Sequence, residues 1–503
     1  MGLVGGGGSA VERPRLLVGA LVYTGLVVSL IGTLGTPLIP LIVRDQHVSF
    51  VAAQWMLTVT LLVGAVAGPT LGRLGDGPRR KGVLMGGLGS VLVGAAVAAT
   101  AGNFPQLLVG RALMGLGLGL MPLTFAIARD CLPRPMNLRV VAMLSVTVAS
   151  GTGLGYPLTG TIADHVDYHF AFWLAAVLGA VAIGLIALAV PGAVPADAGV
   201  DRPRRPFDVP GALLIGLSLG TVLLGFSEAT SWGWASPAVL GLFAAGIVLG
   251  AGWFAVERTS RAPLVELRYL TPLPVLVSNG AAVFMGFGLF GIVSLIIRLV
   301  ETPLSAGYGF GGGVSLAGLV IMPLSVGTLV ATRAARVVER RYGTATVLLL
   351  GGLLVATAGF GLALRRDHLL EVGLATALMG TGIGTSFAAM PTLIITHVPP
   401  TETGSATSFN QALRVVGGSM GSALVASMLA GFTPAGGLLP RDGGYTVAFL
   451  LLGSVSLLGG LLSLVLRQGR ASASPVPAGA RAAVLPMGGG GTPNPATGPA
   501  ATA

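Results

Sequence analysis

Cysteine and lysine occur once each in this chain, at Cys131 and Lys81, and charged residues make up only 9% of it. A single cysteine excludes an intrachain disulfide and any cysteine-rich metal site. Neither a Walker GKT/S run nor an HExxH pair occurs, and no long apolar run holds an acid together with a histidine. An ATPase or an intramembrane hydrolase therefore has no residues to work with, and no enzyme activity, cofactor or metal is expected. Asp and Glu are absent from the interior of every long apolar run. What fills the chain instead is hydrophobic residues at 53%, 80 glycines, and a mean hydropathy of +0.86. Those values lie far outside the soluble globular range and specify a polytopic membrane protein.

Apolar runs recur from residue 16 to residue 467. There are about fourteen, each about long enough to cross ~30 Å of hydrocarbon as a helix. Nothing alternates like a barrel strand, and lipid leaves an unpaired backbone group no partner, so the expected fold class is an all-α membrane protein. The net charge of +11 might suggest nucleic acid, but its placement argues against that partner. With the loops assigned alternately to two sides, about 22 of the 29 basic residues fall on the side of the termini, the positive-inside asymmetry. Both termini are thus expected in the cytoplasm. The first span lacks a cleavage pattern and is expected to stay as an anchor, and residues 468–503, rich in Ala, Gly and Pro, read as a disordered tail. The scarcity of lysine beside so much Ala and Gly suits a GC-rich bacterial genome, hence a bacterial cytoplasmic membrane. Trp55, Trp232 and Trp234, near run ends, read as interfacial anchors.

An internal echo is more informative than hydropathy. ALMGLGLG in the fourth run, Ala112 to Gly119, returns as ALMGTGIG in the twelfth, Ala377 to Gly384, and Gly151 with Gly155 in the fifth returns as Gly417 with Gly421 in the thirteenth. Same-sense repeats of six spans with two spans between them form a transporter architecture. The expected division is a cytoplasmic N-terminus (1–15), a six-helix bundle (16–191), a linker (192–209), two extra central helices (210–256), a second linker (257–273), a second six-helix bundle (274–467) and the tail.

Between the second and third runs lies GRLGDGPRRKGVL, Gly72 to Leu84. Its Gly72, Leu74, Asp76, Arg80, Lys81 and Leu84 resemble the GxLaDrxGrkxxl signature of major facilitator transporters, although Gly77 and Arg79 depart from it. Arg111 with Gly115, Gly117 and Gly119 looks like that family's RxxqGxg pattern. GTGLGYPLTG, with Gly151, Gly155, Pro157 and Gly160, is similar to its antiporter motif, apart from Tyr156 and Thr161. The central FDVPGALLIGLSLGTVLLGFSEATSWGWASPAVL, followed by ERTSRAPLVELRYL, is very similar to the insert of the fourteen-helix drug:proton antiporters.

The resemblance implies two bundles that rock about a central cavity, with charge contacts on one face that form and break. Asp76 and Arg80 or Lys81, with Gly72 and with Asp130 supplying a further acid, are then a conformational latch on the cytoplasmic side. Arg111 would take part in proton coupling or donate to backbone carbonyls, since an unpaired charge at that depth costs at least ~2.5 kcal/mol. Asn410, Gln411 and Arg414 would line the cavity or tie helices together, and Arg298 with Glu301 would form an interfacial ion pair at an outer gate. The glycines of the antiporter-like motif are packing devices first. Relatives usually carry an aspartate in the first span, where this chain has Ile31 within LIGTLGTPLIP. The remaining acids noted lie at rims: Asp76 and Asp130 inside, Glu228, Glu301, Asp164 and Asp167 outside.

The expectation is a monomeric secondary transporter exporting small amphipathic molecules, drugs or metabolites, against a proton gradient. A lipid or metabolite carrier with weak or no proton coupling, favoured by Ile31, is one alternative, and a membrane receptor or scaffold that kept the fold is another.

Overall fold

The computed structural model describes residues 14–35, 38–48, 50–75, 80–133, 136–191, 208–260, 263–399, 402–434 and 439–466. Asp76, most of the N-terminus, nearly all of the first linker, and the tail lie outside the described residues. Among those described there is no strand. Thirteen helical spans are long and apolar enough to cross a membrane, and the Gly- and Thr-rich α7 makes fourteen by its length and its place in the bundle.

The N-terminal half comprises α1 (Pro14–Thr33), the short α2 (Ile39–Asp45), α3 (Phe50–Gly75), α4 (Arg80–Ala99), α5 (Phe104–Gly115), α6 (Met121–Cys131), α7 (Met136–His165) and α8 (Tyr168–Ala189). The inserted pair is α9 (Val209–Trp232) and α10 (Pro237–Thr259). The C-terminal half comprises α11 (Leu273–Glu301), α12 (Val314–Tyr342), α13 (Thr344–Leu364), α14 (Leu369–His397), α15 (Thr403–Gly431) and α16 (Asp442–Leu461). Helix ends are set locally. The Asn103 side chain accepts from Gln106 N at 2.9 Å ahead of α5, and Ser236 accepts from Val239 N at 3.3 Å ahead of α10, each satisfying an amide the helix leaves unpaired. Gly343, at φ +83°, turns α12 into α13 in one residue, a backbone that side chains other than glycine rarely adopt.

The fourth span is broken in the middle. A 3-10 turn, Leu116–Leu120, joins α5 to α6, and Pro122 just beyond it cannot donate the next helical bond. Small residues hold this span against α3: a Cβ on Gly115 would fall 2.6 Å from the Thr60 carbonyl oxygen, and one on Gly119 2.8 Å from that of Ala67. The sequence echo is present in the packing, residue for residue. Gly380, counterpart of Gly115, sits against the Leu324 carbonyl of α12. Gly151 and Gly155 face Ser29 and Thr33 of α1, as Gly417 and Gly421 face the carbonyls of Val283 and Phe287 of α11. With little hydrophobic drive between helices in lipid, such close approach is what holds a bundle together.

Helix α7 packs on both α1 and α12. Its Gly151 and Gly155 look into the N-terminal half, while Pro157 packs on Gly318 and Gly160 on Val314 of the C-terminal half. Helix α9 also meets both halves, at α3 and α15. At its foot the inserted pair docks through a cluster that includes Trp253, Leu264, Val265, Ile394, Val398 and Ala406, with Trp253 stacked on Phe409 at 5.9 Å.

Candidate transport cavity and closing contacts

Between the halves lies a cavity of about 480 Å³. Its mouth is at Arg298 and Glu301, the last turn of α11, and its walls include Leu57, Tyr156 and Phe290. A second space of about 90 Å³ continues past Tyr156 and Phe290 toward Gly68, Ser408 and Gln411. Hydroxyls punctuate the apolar wall, among them Thr58 and Ser227, whose oxygens lie 2.9 Å apart. Ser227 belongs to α9, so the insert supplies cavity wall, together with Leu223, Phe226 and Thr230. The hydropathy pattern marks α9 as an extra span and carries no sign of that role. Tyr156 stands where the resembled motif has glycine, and its ring lines both spaces.

Arg111 is fully buried and lines the cavity. Its Nε donates to the Met56 carbonyl at 3.4 Å and its Nη1 to that of Ile31 at 3.3 Å, while Nη2 has no hydrogen-bond partner among the described residues. In the other half Thr376, the counterpart of Arg111, donates to the Val320 carbonyl at 2.9 Å. The arginine is thus the N-terminal half's charged version of a helix tie that the repeat makes with a hydroxyl.

Below Gly68 the bundle closes. Gly72 of α3 packs on Ser408 and Gly404 of α15 so closely that any side chain there would strike the Ser408 hydroxyl. Arg80, at the start of α4, is fully buried and pairs with Asp130. Asp130 also accepts from Arg129 Nε at 2.8 Å, and Arg129 in turn reaches the Thr403 hydroxyl of α15. Arg80 and Asp130 belong to the same half, whereas Arg129 to Thr403 is a polar link across the seam, which the sequence reading did not single out. Lys81 stands apart from this group. Its Nζ donates to the carbonyls of Ala187 and Val190 at 2.8 and 2.7 Å, capping α8 within the N-terminal half.

The remaining candidates separate. Gln411 lines the deep space. Asn410 is buried against α11, donating to the Ser278 carbonyl at 3.1 Å and to Asn279 Oδ1 at 3.0 Å, a tie between helices. Arg414 is buried with its guanidinium 3.9 Å from the Phe387 ring centre, and Nε and Nη1 have no hydrogen-bond partner among the described residues. Arg298 and Glu301, expected as an ion pair at an outer gate, are both exposed. Both side chains line the cavity mouth, where water competes for them. Trp234 is more than an interfacial anchor, since its Nε1 donates to Ser427 Oγ of α15 at 2.6 Å.

Residues 21–422 match the family model described as Major Facilitator Superfamily. The chain belongs to this superfamily. Among relatives of this major facilitator protein is the tetracenomycin C resistance and export protein of Streptomyces glaucescens, 26% identical over 83% of this chain and 76% of that one. Another is the puromycin resistance protein pur8 of Streptomyces alboniger, 29% identical over 89% and 90%. Both are named for resistance, in keeping with the branch that the central insert resembles. The human organic anion transporter MFSD10 shares the fold at a TM-score of 0.62 and 17% identity, over 90% of this chain and all of that one.

Proposed function

We propose that this major facilitator protein exports small amphipathic compounds, drugs or self-made metabolites, by alternating access in exchange for protons. It would act as a monomer in a bacterial cytoplasmic membrane, with both termini inside. The observation that carries the reading is a cavity between the halves, open at Arg298 and Glu301 and shut below by Gly72 on Ser408 and Arg129 on Thr403. That is the shape of one end state of a rocking carrier. The positive-inside count supports the cytoplasmic side for the shut face, and the resistance names of the relatives support export.

Apolar walls and scattered hydroxyls suit a cargo with a flat apolar body and a polar, hydrogen-bond-accepting edge. In this reading Asp76 joins Arg80, Asp130 and Gly72 in the latch. Proton coupling runs through rim acids acting with Arg111. Reconstitution in liposomes with an imposed pH gradient tests it, comparing wild type with Asp130→Asn and Arg111→Ala. Gradient-driven accumulation that both variants lose is expected. Wild-type transport indifferent to the gradient would support the second reading, a carrier without proton coupling, which Ile31 in the first span favours.

A further inference from the structure

The foot of the inserted pair holds two buried acids that the central cavity does not use. Asp208 precedes α9 and Glu257 lies in the last turn of α10, and both are more than nine-tenths buried. One oxygen of each is satisfied: Asp208 Oδ1 accepts from Gly211 N at 2.9 Å, and Glu257 Oε1 accepts from Val265 N. The other two, Asp208 Oδ2 and Glu257 Oε2, have no hydrogen-bond donor among the described residues. They converge on one point, since a side chain at Gly211 would meet them at 2.8 and 3.1 Å, and the two carboxyls lie within hydrogen-bonding reach of each other.

An ionised carboxylate is an acceptor only, whereas a protonated one donates. Backbone amides, those of Val265 and Leu264 at Glu257 and that of Gly211 at Asp208, offset part of the lost hydration, but two ionised carboxylates whose facing oxygens have no donor between them repel. A single proton between them turns both orphans into one hydrogen bond. Asp208 is the charged group facing Glu257. Among the described residues, neighbouring ionisable groups are engaged elsewhere or belong to other ends: Arg258 lies over the Phe254 ring at 5.7 Å, Arg268 pairs with Glu266 at 2.5 Å, and the His397 ring, at the end of α14, contacts the Leu393 carbonyl at 2.8 Å; Arg204, Arg205 and Arg261 lie outside the described residues. Glu402, just before α15, is the titratable group at that end of α15.

We propose that Asp208 and Glu257 form a proton-binding site, and that its one proton fixes the loop from α10 to α11 onto the C-terminal half. Glu257 holds that loop through Val265, and Leu264 and Val265 are buried against Ile394, Val398 and Ala406. Loss of the proton leaves two like charges at the hinge of this contact and releases the loop. The site lies apart from the central cavity and does not presuppose the antiport reading.

The test uses the full chain in nanodiscs, with Cys131→Ala and a cysteine introduced at the fully buried Leu264. Its maleimide labelling is normalised to that of a cysteine at the exposed Leu304. Normalised labelling is expected to rise about tenfold between about pH 5 and about pH 9 as the loop opens locally. Glu257→Gln and Asp208→Asn each supply a fixed donor to the partner acid and should leave Leu264 protected across that range. Infrared spectroscopy gives a second readout independent of the labels: a protonated carboxyl band in the wild type at low pH that both variants lack. Protection of Leu264 at every pH, titration that persists in both variants, absence of the band, or protection that follows sodium instead of pH would each overturn the proposal. If one variant does not assemble, the other and the infrared band decide.

Discussion

Arg111 donates through Nη1 to the carbonyl oxygen of Ile31, 3.3 Å away, at the position where the pattern that the first span resembles has an aspartate. The backbone of the first helix thus takes up a guanidinium that has no acid beside it among the described residues. A carbonyl cannot titrate, so it stays an acceptor whatever the pH, and Nη2 is enclosed with no hydrogen-bond partner among the described residues.

Arg111→Lys is therefore not conservative. An ammonium on a flexible stem cannot reach the Met56 and Ile31 carbonyls together as the planar fork does. Gradient-driven uptake into proteoliposomes should fall about tenfold or more, equivalent to roughly 1.4 kcal/mol, at unchanged abundance. Uptake equal to wild type would reduce Arg111 to a replaceable tie.

Gly72→Val should act on the conformational balance and spare each half. The new side chain strikes Ser408 across the seam, and the nearest atoms to its Cβ belong to that serine and to the Gly404 carbonyl, both on α15. Distances between spin labels on the shut faces of α3 and α15 should lengthen relative to wild type, with normal detergent elution. An unchanged distance distribution would mean that the seam tolerates the bulk.

Asp130→Asn leaves the buried Arg80 guanidinium short of its carboxylate. Loss of one member of a buried pair costs about 3 kcal/mol, so the unfolding midpoint in detergent should drop. Adding Arg80→Met should recover part of the loss, because the fully buried guanidinium that lost its carboxylate is then removed, while Arg129, the other partner of Asp130, remains. A midpoint equal to wild type for the single variant would count against the pair.

Gly115→Ala and Gly380→Ala should behave alike. Each sets a methyl against a carbonyl oxygen of the second long helix of its half, Thr60 or Leu324. Overpacking of this kind costs about 1 to 3 kcal/mol. Equal losses in thermal stability would express the internal repeat as energy, and a neutral effect at one site would show that its half relaxes.

A periplasm-active reporter fused after Arg467 should remain silent, because the basic loops lie on the side of that end. Activity would place the shut face outside and reverse the proposed direction of closure.

Composition and periodicity determine that this chain crosses the membrane many times as helices, because hydrocarbon admits no other way to satisfy a backbone. The repeat of ALMG and of paired glycines determines two like halves, since glycine spacing at helical period fixes where two helices touch. Which side chains meet across elements is decided only in three dimensions. GRLGDGPRRKGVL places Arg80 and Lys81 side by side in sequence, yet one pairs with Asp130 and the other caps α8, because successive positions on a helix point about a quarter turn apart. Nor does hydropathy reveal that α9 supplies cavity wall, or that Asp208 and Glu257, 49 residues apart in the chain, face each other at Gly211. Such meetings depend on how the inserted pair docks, and docking is set by packing across the bundle, of which local sequence bears no record.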